Sequence, residues 1–418
     1  MRYNVTMVIF ARGFEVAGVS AGMKKSGRKD VAIIRNIGPN KVVAAVFTSN
    51  RVHAAPVKYS RHALSKNDGR ADAVLINSGR ANACTGEEGY KNAVESAQYL
   101  AKLLGVEDIN RIMVASTGSI GKHLEMDKFL PGIDMAVEQL NTSFSNEFAV
   151  ASAICTTDTV EKMAVYSHTT GKIYSGKTLE DFEQVDVNEN SWKIGAVSKG
   201  AGMIAPQLAT MISVITTDAV LTSDEADEAL KYAVEYSFNR IDADGCMSTN
   251  DTVFLLSSGT SKITPDLSEF KEKLLEVTMS LARQMIADTE GASHDIEITV
   301  INAEEEVHAL NIARSVARSN LLKCAIFGND PNWGRVLASI GVVSESDAVF
   351  DAENIDVALN DVWVCKNSGI GESRELVKMA ENRAVSIVID LKVGSKSATV
   401  LTNDLTYDYI KENAEYTT

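Results

Sequence analysis

The segment with the clearest chemical potential is Lys199–Ile212, which reads KGAGMIAPQLATMI. Glycine and other small residues lie before Thr210, so the backbone can bend sharply enough for the threonine hydroxyl to attack the carbonyl of Ala209. Cleavage between Ala209 and Thr210 would free an α-amine, whose ordinary pKa of about 7.7–8.0 lets it act as base for its own hydroxyl. The residues alone favour a plainer interpretation, a threonine in a strand, because β-branched residues are common in strands.

A second segment, Ser116–Gly121, reads STGSIG and follows a short apolar run. Small residues with free backbone N–H groups can bind an anion or stabilise an oxyanion. A glycine turn after a strand is the commoner meaning of such a pattern. The segment therefore predicts a turn first and an oxyanion site second.

Other patterns in the chain predict no site. Ser198–Ala205 matches the dinucleotide-binding pattern G-x-G-x-x-A, but Pro206 would stop the helix that must follow the glycines. Asp242–Gly245 resembles part of a calcium loop but lacks the first ligand and the closing glutamate. The six histidines and five cysteines have no metal-ligand spacing, which predicts buried free thiols and no metal. We expect no cofactor.

Charge and hydropathy argue against several classes of protein. The 418 residues carry 41 basic and 56 acidic side chains, a formal net charge of −15, which disfavours nucleic-acid binding. The charge is uneven, since residues 1–209 hold 24 basic and 21 acidic side chains and residues 210–418 hold 17 and 35. No window approaches about 18 consecutive apolar residues, and the start lacks the apolar core of a signal peptide. We expect a cytoplasmic protein without a membrane span.

The elements that must position these residues alternate between short strands and amphipathic helices. Apolar runs rich in β-branched residues predict strands at Val31–Ile34, Val42–Phe47, Ala73–Ile76, Ile112–Ala115, Ile296–Ile301, Val385–Leu391 and Ala398–Leu401. Helical spacing predicts helices over Tyr90–Leu104 and Leu267–Ile286, and Thr222–Glu225 forms a capping box that starts another. Long helical segments separate strands that are expected to pair with one another. This order of elements is typical of an α/β or α+β fold in which helices cover a mixed sheet.

Several long motifs follow one another along the whole chain. They are GFEVAGVSAGMKKSGRKD near the start, VFTSNRVHAAPV, NSGRANACTG, ASTGSIG, TTDT at Thr156–Thr159, KGAGMIAPQLATMISVITTD from Lys199, STNDT at Ser248–Thr252 and GNDPNWGR at Gly328–Arg335. The final residues, Glu412–Thr418, form a further motif. Together these motifs resemble the ornithine acetyltransferase family, also called the ArgJ family. The resemblance favours the self-cleaving interpretation of Thr210 and the oxyanion interpretation of Ser116–Gly121.

The resemblance also implies a role for individual positions. Thr210 would be the nucleophile, and cleavage at Ala209–Thr210 would give an α chain, 1–209, and a β chain, 210–418. The Thr117 hydroxyl and the Gly118 N–H would form the oxyanion hole. The positions that would bind substrate, in addition to Thr210, are Thr156, Thr157, Lys199, Glu290, Asn413 and Thr418. Which of the two adjacent threonines contacts the substrate stays open.

One turn departs from the family pattern. The family has D-G-E-G-A-T-K where Asp288–His294 reads DTEGASH. Glu290 is retained, but His294 replaces a lysine. We expect His294 either to stand in for that cation beside the pocket or to face solvent at the start of the next strand. The departure leaves the identity of the acetyl acceptor open.

By the same resemblance the fold is a layered α/β/β/α sandwich of the N-terminal-nucleophile-like type with a second, smaller domain. The expected activity is transfer of an acetyl group from N²-acetylornithine to glutamate through an acetyl-Thr210 intermediate in arginine biosynthesis. Acetyl-CoA is open as a further donor. Both chains together are expected to form one folded unit, assembled as a heterotetramer of two α and two β chains.

Three alternatives to this activity stay open. The same threonine chemistry would serve an N-terminal-nucleophile amidohydrolase or aminopeptidase, in which water accepts the acyl group. A transferase with a different acceptor would also fit the altered turn around Glu290. The third alternative is a non-enzymatic scaffold in which Thr210 lies in an uncleaved strand.

Overall fold

The computed structural model describes residues 9–176, 178–182, 185, 188, 190–203 and 211–415. Within these residues the chain forms three β-sheets, and helices pack on all of them. Two of the sheets are stacked, and the third belongs to a smaller unit formed by the last part of the chain.

The first sheet is built from the early strands. These are β1 (Phe14–Val19), β2 (Val31–Asn36), β4 (Ala73–Arg80) and β5 (Ile112–Ser119). They lie in the order β1–β2–β4–β5, and only β4 and β5 run parallel. The helices that pack on this sheet are α1 (Ala55–Leu64), α2 (Gly86–Leu104), α3 (Met126–Glu138) and α4 (Phe144–Ile154).

The second sheet combines strands from both halves of the chain. These are β3 (Val42–Phe47), β6 (Lys162–Ser167), β7 (Lys172–Gly176), β8 (Lys193–Lys199), β9 (Ile212–Thr217) and β10 (Thr252–Ser257). They lie in the order β3–β10–β9–β8–β6–β7. Strands β8 and β9 are antiparallel neighbours with Lys199 opposite Ile212, so the chain on each side of the Ala209–Thr210 bond enters the same sheet.

Alternating side chains of the second sheet face two different cores, as expected for a strand buried on both faces. In β3, Val43 and Ala45 join the core that contains the first sheet and helices α1–α4. Val42 and Ala44 join the core formed with α5 (Ser223–Tyr236) and α6 (Leu267–Ala287). The layers therefore run helix, sheet, sheet, helix, which confirms the predicted α/β/β/α sandwich.

The third sheet forms the core of the smaller unit. Its strands are β11 (Asp295–Ala303), β12 (Asp356–Leu359), β13 (Val362–Lys366), β14 (Gly369–Ile370), β15 (Ala384–Asp390) and β16 (Lys396–Asn403). The helices of this unit are α7 (Glu306–Ala317), α8 (Asn320–Phe327) and α9 (Trp333–Ile340). A final helix, α10 (Tyr407–Glu415), returns toward the turn that follows α6, where Tyr409 lies against Gly291.

No helix among the described residues is long and apolar enough to cross a membrane. The five cysteines, all within that part of the chain, are free thiols, but only Cys155 and Cys365 are buried as predicted. The prediction of burial is wrong for the exposed Cys84, Cys246 and Cys324.

Candidate active site

A small cavity of about 110 Å³ lies where the ends of β5 and β8 meet the turn that follows α6. Seven of the predicted site residues line it: Thr117, Gly118, Thr156, Thr157, Lys199, Glu290 and Asn413. The lining also includes Ala81, Ile120, Gly202, Met203, Ser248 and Asn250. Ala209, Thr210 and Thr418 lie outside the described residues. The predicted site residues in this lining are as much as 296 positions apart in sequence, from Thr117 to Asn413.

Thr117 and Gly118 lie in the last part of β5 and not in a turn. The strand continues through Ser119 because it stays paired with β4, Ser78 lying opposite Thr117. The prediction of a turn beginning at Ser116 is therefore wrong. Gly118 has a φ of +128°, and a Cβ on it would lie 2.4 Å from the carbonyl carbon of Gly79, so only glycine fits. Gly118 lines the cavity and, having no side chain, can present only backbone groups to it.

Lys199 is the cation of the cavity. It is the last residue of β8, its side chain is 1% exposed, and its Nζ donates to Thr117 Oγ1 over 3.3 Å. Because the Thr117 oxygen accepts this bond, its own O–H remains available to donate to another oxygen. The lysine and the hydroxyl together present positive potential to the same small space.

Asp158 lies behind Lys199 and holds three parts of the site together. Its Oδ1 accepts hydrogen bonds from Lys162 Nζ at 2.7 Å and from Gly200 N–H at 2.7 Å, and its Oδ2 accepts from Thr156 N–H at 3.0 Å. Lys199 Nζ is 4.0 Å from Oδ2. Burial alone would raise the pKa of Asp158, but the charges of Lys199 and Lys162 outweigh it and hold that pKa well below its ordinary value. Asp158 is thus a buried anion.

The chain of buried charges continues to the turn that carries Glu290. Lys162 Nζ is 2.6 Å from Asp288 Oδ2, and the Lys162 side chain is fully buried. Burial lowers the pKa of Lys162, but the two carboxylates outweigh burial and raise it. Asp288 also accepts the Thr159 N–H at 3.1 Å. The four residues Lys199, Asp158, Lys162 and Asp288 are called here the buried charge network. This network joins the segment Thr156–Thr159 to the turn that contains Glu290.

Sequence reasoning missed the buried charge network, although a signal for it was present. Asp158 lies inside the TTDT motif, and Lys162 follows it by four residues, at the start of β6. A lysine at the start of a buried strand needs a buried partner, since an unpaired charge in a core is very costly. The sequence does not reveal that Asp288, 126 positions later, is the second partner.

Glu290 and Asn413 form the opposite wall of the cavity. Asn413 Nδ2 donates to Glu290 Oε2 at 3.2 Å, and the Glu290 backbone N–H donates to Ala201 O at 2.9 Å. A Cβ on Gly202 would lie 2.4 Å from Glu290 Oε2, so the carboxylate rests against a glycine. The cavity therefore has an ammonium on one side and a carboxylate on the other.

The cavity opens into a larger outer space, called here the vestibule, of about 630 Å³. It shares Thr156, Thr157, Glu290 and Asn413 with the cavity and adds Arg28, Glu412 and Glu415 among its lining residues. Burial and the nearby Glu290 raise the pKa of Glu412 above its ordinary value. The vestibule thus carries both signs of charge around the mouth of the cavity.

His294 lines neither the cavity nor the vestibule. Its ring is buried, and its Nδ1 is 2.8 Å from Asp404 Oδ2, in the segment that follows β16. Asp404 also accepts the His294 backbone N–H at 3.0 Å. Both expectations for the position of His294 are therefore wrong: its ring lies neither beside the pocket nor in solvent. It helps to fix the junction between α6 and β11.

Two further buried residues come from the STNDT motif. Asn250 lines the cavity, and its side-chain amide donates to Ala81 O at 2.6 Å and to Ser116 O at 2.8 Å. Asp251 is fully buried, and its Oδ1 accepts the backbone N–H of Met211 at 2.8 Å. Burial raises the pKa of Asp251 well above its ordinary value. The motif was noticed in the sequence, but no role could be assigned to either residue there.

In the described part of the chain, no group of three or more histidine, cysteine, aspartate or glutamate side chains is arranged to hold a metal ion. The cavity instead offers two potential oxyanion donors, a buried lysine and a carboxylate–amide pair. The fold and this site define a layered α/β/β/α enzyme with a small cavity whose lining carries charges of both signs.

Comparison with known proteins gives the family. The sequence profile of the ArgJ family matches residues 15–418. The chain is 48% identical over 409 residues to the arginine biosynthesis bifunctional protein ArgJ of Streptomyces coelicolor, which covers 98% of this chain and 99% of that protein. The ArgJ protein of Bifidobacterium longum is 49% identical over 411 residues, with 98% and 99% covered. The chain belongs to the ArgJ family and is an enzyme of arginine biosynthesis.

One solved structure has a related sequence. It is an ornithine acetyltransferase from Mycobacterium tuberculosis in complex with ornithine, 36% identical, covering 48% of this chain and 95% of its own chain, with a TM-score of 0.40. The family assignment rests on the sequence matches.

Proposed function

We propose that this enzyme moves the acetyl group of N²-acetylornithine to glutamate through an ester on Thr210, after it has cut itself between Ala209 and Thr210. The observation that carries the proposal is the gathering of Thr117, Gly118 and Lys199 around one small cavity. Two hydrogen-bond donors and a buried cation beside one space are what an acyl transfer needs to stabilise a developing oxyanion.

The described residues that flank the proposed cleavage site lie at or near this cavity, which supports the proposal that cleavage occurs beside it. Met203, before the site, lines the cavity and has a φ of +56°, a left-handed conformation that is uncommon for a residue with a long side chain. Met211 directly follows Thr210 in the sequence. Its backbone N–H donates a hydrogen bond to Asp251 Oδ1, and Asp251 is the neighbour in sequence of the cavity residue Asn250.

The first half-reaction forms the acyl enzyme. The Thr210 hydroxyl attacks the acetyl carbonyl, and the Thr210 α-amine takes the hydroxyl proton. The oxyanion accepts hydrogen bonds from the Thr117 hydroxyl and the Gly118 N–H, each worth about 3–4 kcal/mol in comparable sites. The bond between the acetyl carbon and ornithine then breaks, and the departing amine takes the proton from the α-ammonium.

The second half-reaction reverses these steps with glutamate. The amine of glutamate attacks the ester carbonyl, and the same two donors stabilise the oxyanion. The proton lost by that amine passes through the Thr210 α-amine to the Thr210 oxygen as the ester bond breaks. N-acetylglutamate leaves, and the free hydroxyl is restored.

The charges of the cavity suggest how both amino acids are held. Lys199 pairs with a substrate carboxylate, and Thr156 or Thr157 contributes a hydroxyl beside it. Glu290, oriented by Asn413, binds the side-chain ammonium of ornithine, and Thr418 closes the pocket. Use of acetyl-CoA as a further donor is part of this proposal and is tested by following N-acetylglutamate formation from acetyl-CoA without acetylornithine.

The proposal includes the assembly and location of the enzyme. The second sheet interleaves strands from 1–209 and 210–418, which supports one folded unit after cleavage. We propose a heterotetramer of two α and two β chains in the cytoplasm, without a cofactor.

Thr210→Ala tests self-cleavage. The variant should remain one chain of 418 residues without transfer activity, whereas Thr210→Ser, which keeps a hydroxyl, should still be cut. The two products of the unchanged protein have equal length, so N-terminal sequencing decides, and the new chain must begin Thr-Met-Ile-Ser. A cut at another bond, or full transfer activity in an uncleaved chain, would contradict the proposal. Release of acetate without transfer to glutamate would favour the amidohydrolase alternative.

A further inference from the structure

The two amino acids that the proposed reaction takes in turn carry opposite charges at the same place. The ammonium nitrogen of the ornithine side chain and the carboxylate oxygens of the glutamate side chain are the same number of bonds from the α-carbon. When both place the α-carboxylate at Lys199 and the reacting amine near Thr117, their side chains end at the same point. That point is beside Glu290, which lines the cavity and the vestibule. A carboxylate that attracts the ornithine ammonium repels the glutamate carboxylate, so glutamate needs a cation there.

Acidic side chains surround the mouth of the cavity. Glu412 and Glu415 from α10 line the vestibule together with Glu290. Asp288 belongs to the same lining, but Lys162 pairs with it at 2.6 Å. Burial and the charge of Glu290 raise the pKa of Glu412, as expected for carboxylates that repel one another. An incoming carboxylate therefore meets an unfavourable potential unless a basic side chain offsets it.

Several basic groups near this space already have acceptors. Lys24 lies close to Arg28, since burial and the Arg28 charge lower the pKa of Lys24 to about 8. The Lys24 Nζ donates to three backbone carbonyl oxygens at 2.7, 2.7 and 3.4 Å, one for each of its protons. The guanidinium of Arg383 pairs with Asp295 at 3.0 Å and donates to two carbonyl oxygens at 3.2 and 2.9 Å. Lys199 is assigned to the α-carboxylate of the substrate. None of these three groups is therefore well placed to bind the side-chain carboxylate of glutamate.

Arg28 has a different status. It lines the vestibule, its side chain is exposed, and its Nη2 donates to the backbone oxygen of Thr156 at 2.8 Å. Because Thr156 lines both the vestibule and the cavity, this bond holds the guanidinium at the mouth of the cavity. A guanidinium has five N–H donors, and within the described part of the chain no carboxylate pairs with that of Arg28. The remaining donors can bind a carboxylate through two parallel hydrogen bonds.

We propose that Arg28 is a specificity-determining residue for the acetyl acceptor. Its guanidinium pairs with the side-chain carboxylate of glutamate in the second half-reaction and offsets the charge of Glu290. In the first half-reaction the same guanidinium lies near the ornithine ammonium and weakly opposes it, and the attraction of Glu290 outweighs this effect. This inference rests on the proposed function.

Arg28→Gln should affect the two half-reactions differently. In a double-displacement reaction, kcat/KM for each substrate reports only the half-reaction that consumes this substrate. The kcat/KM for glutamate should fall about 10- to 100-fold, because hydrogen bonds between two charged groups are lost. The kcat/KM for N²-acetylornithine should stay the same or rise by up to about 3-fold, because a charge of the same sign as the ornithine ammonium is removed. A merely structural role of Arg28 would lower both constants together.

Glutamine provides a matched test on the side of the acceptor, because it has the shape of glutamate without the side-chain charge. The unchanged enzyme should transfer the acetyl group to glutamate with a higher kcat/KM than to glutamine. Arg28→Gln should reduce this preference about 10-fold or more, because only the charged acceptor loses its partner. Arg28→Lys keeps the positive charge and should recover most of the preference.

Arg383→Gln is the matched control. Arg383 lines the same vestibule, but its guanidinium is held by Asp295 and two carbonyl oxygens. Its replacement should therefore leave the preference for glutamate over glutamine unchanged. An equal loss of preference in both arginine variants would show only the general potential of the vestibule and would overturn the specific role of Arg28.

The outcomes separate this inference from the proposed function. If the unchanged enzyme transfers the acetyl group to glutamate, but Arg28→Gln keeps its preference for glutamate or loses both kcat/KM values by the same factor, Arg28 does not bind the acceptor. If the glutamine variant does not fold, Arg28→Lys decides, since a lysine variant that uses glutamine as well as glutamate would also overturn the inference. An unchanged enzyme that forms no acetyl ester, or an ester that glutamate does not remove, contradicts the proposed function instead.

Discussion

Replacing Lys162 by methionine should destabilise the enzyme far more than removal of an ordinary ion pair. Lys162 Nζ lies 2.7 Å from Asp158 Oδ1 and 2.6 Å from Asp288 Oδ2, and it donates to Val160 O at 3.3 Å. All three ammonium protons thus have acceptors. Methionine has nearly the same length and volume, so the change removes charge without opening a large void.

The magnitude follows from the burial of both carboxylates. The side chains of Lys162 and Asp158 are fully buried, and that of Asp288 is 6% exposed. Removal of one member of a buried ion pair typically costs about 3–5 kcal/mol, because the remaining charge loses its partner but stays out of water. Whole domains are stable by only about 5–15 kcal/mol, so this loss is a large share of the total.

The substitution Lys162→Met should also change how the free energy of unfolding depends on pH in the acidic range. In the unchanged enzyme the pKa of Asp158 is held low, so its contribution to stability is present above the ordinary value of about 3.9 and is lost as pH falls below it. Without the Lys162 charge the pKa of Asp158 rises. The pKa values of Asp158 in the folded and unfolded states then lie closer together, so Asp158 should contribute a smaller loss of stability on acidification in Lys162→Met than in the unchanged enzyme.

The assay is urea unfolding followed by tryptophan fluorescence, with Lys231→Met as the matched control. Lys231 is 2.6 Å from Asp227, but the two side chains are 65% and 46% exposed. Exposed pairs of this kind contribute less than about 1 kcal/mol. If Lys162→Met lowers the free energy of unfolding by no more than Lys231→Met does, the buried charge network does not hold the site together as described.

The remaining predictions concern the cavity walls. Thr117→Ala removes one oxyanion donor and leaves the Gly118 N–H, so kcat for acetyl transfer should fall about 10²–10³-fold with little change in KM, and a rise in KM alone would show that Thr117 only binds substrate. Gly202→Ala places a Cβ 2.4 Å from Glu290 Oε2 and should displace that carboxylate from Asn413. The KM for N²-acetylornithine should then rise about 10-fold while the urea midpoint changes little, and an unchanged KM would show that Glu290 is not a substrate ligand.

Local sequence patterns were enough to predict many of the strands and helices. The strand predicted at Val42–Phe47 has those bounds in the structure, and the capping box at Thr222 starts α5 as predicted. The helix predicted over Leu267–Ile286 ends one residue later. In each case the signal lies within the segment itself, as a short apolar run, as apolar residues at helical spacing or as a cap.

The errors arise where partners distant in sequence decide the structure. Ser116–Ser119 has turn-forming residues, but pairing with β4 keeps it in a strand. His294 is four residues from Glu290, yet Asp404, 110 positions later, holds its ring away from the cavity. The buried charge network was missed for the same reason, because only the folded chain brings Lys162 to Asp288.

Intact mass spectrometry of the mature enzyme, incubated with N²-acetylornithine while glutamate is withheld, tests the central claim most directly. The product that spans residues 210–418 should gain the mass of one acetyl group and the product that spans 1–209 should gain none. Addition of glutamate should remove the acetyl group and yield N-acetylglutamate. An unmodified 210–418 product under these conditions, or an acetyl group on the 1–209 product, would contradict acyl transfer through Thr210.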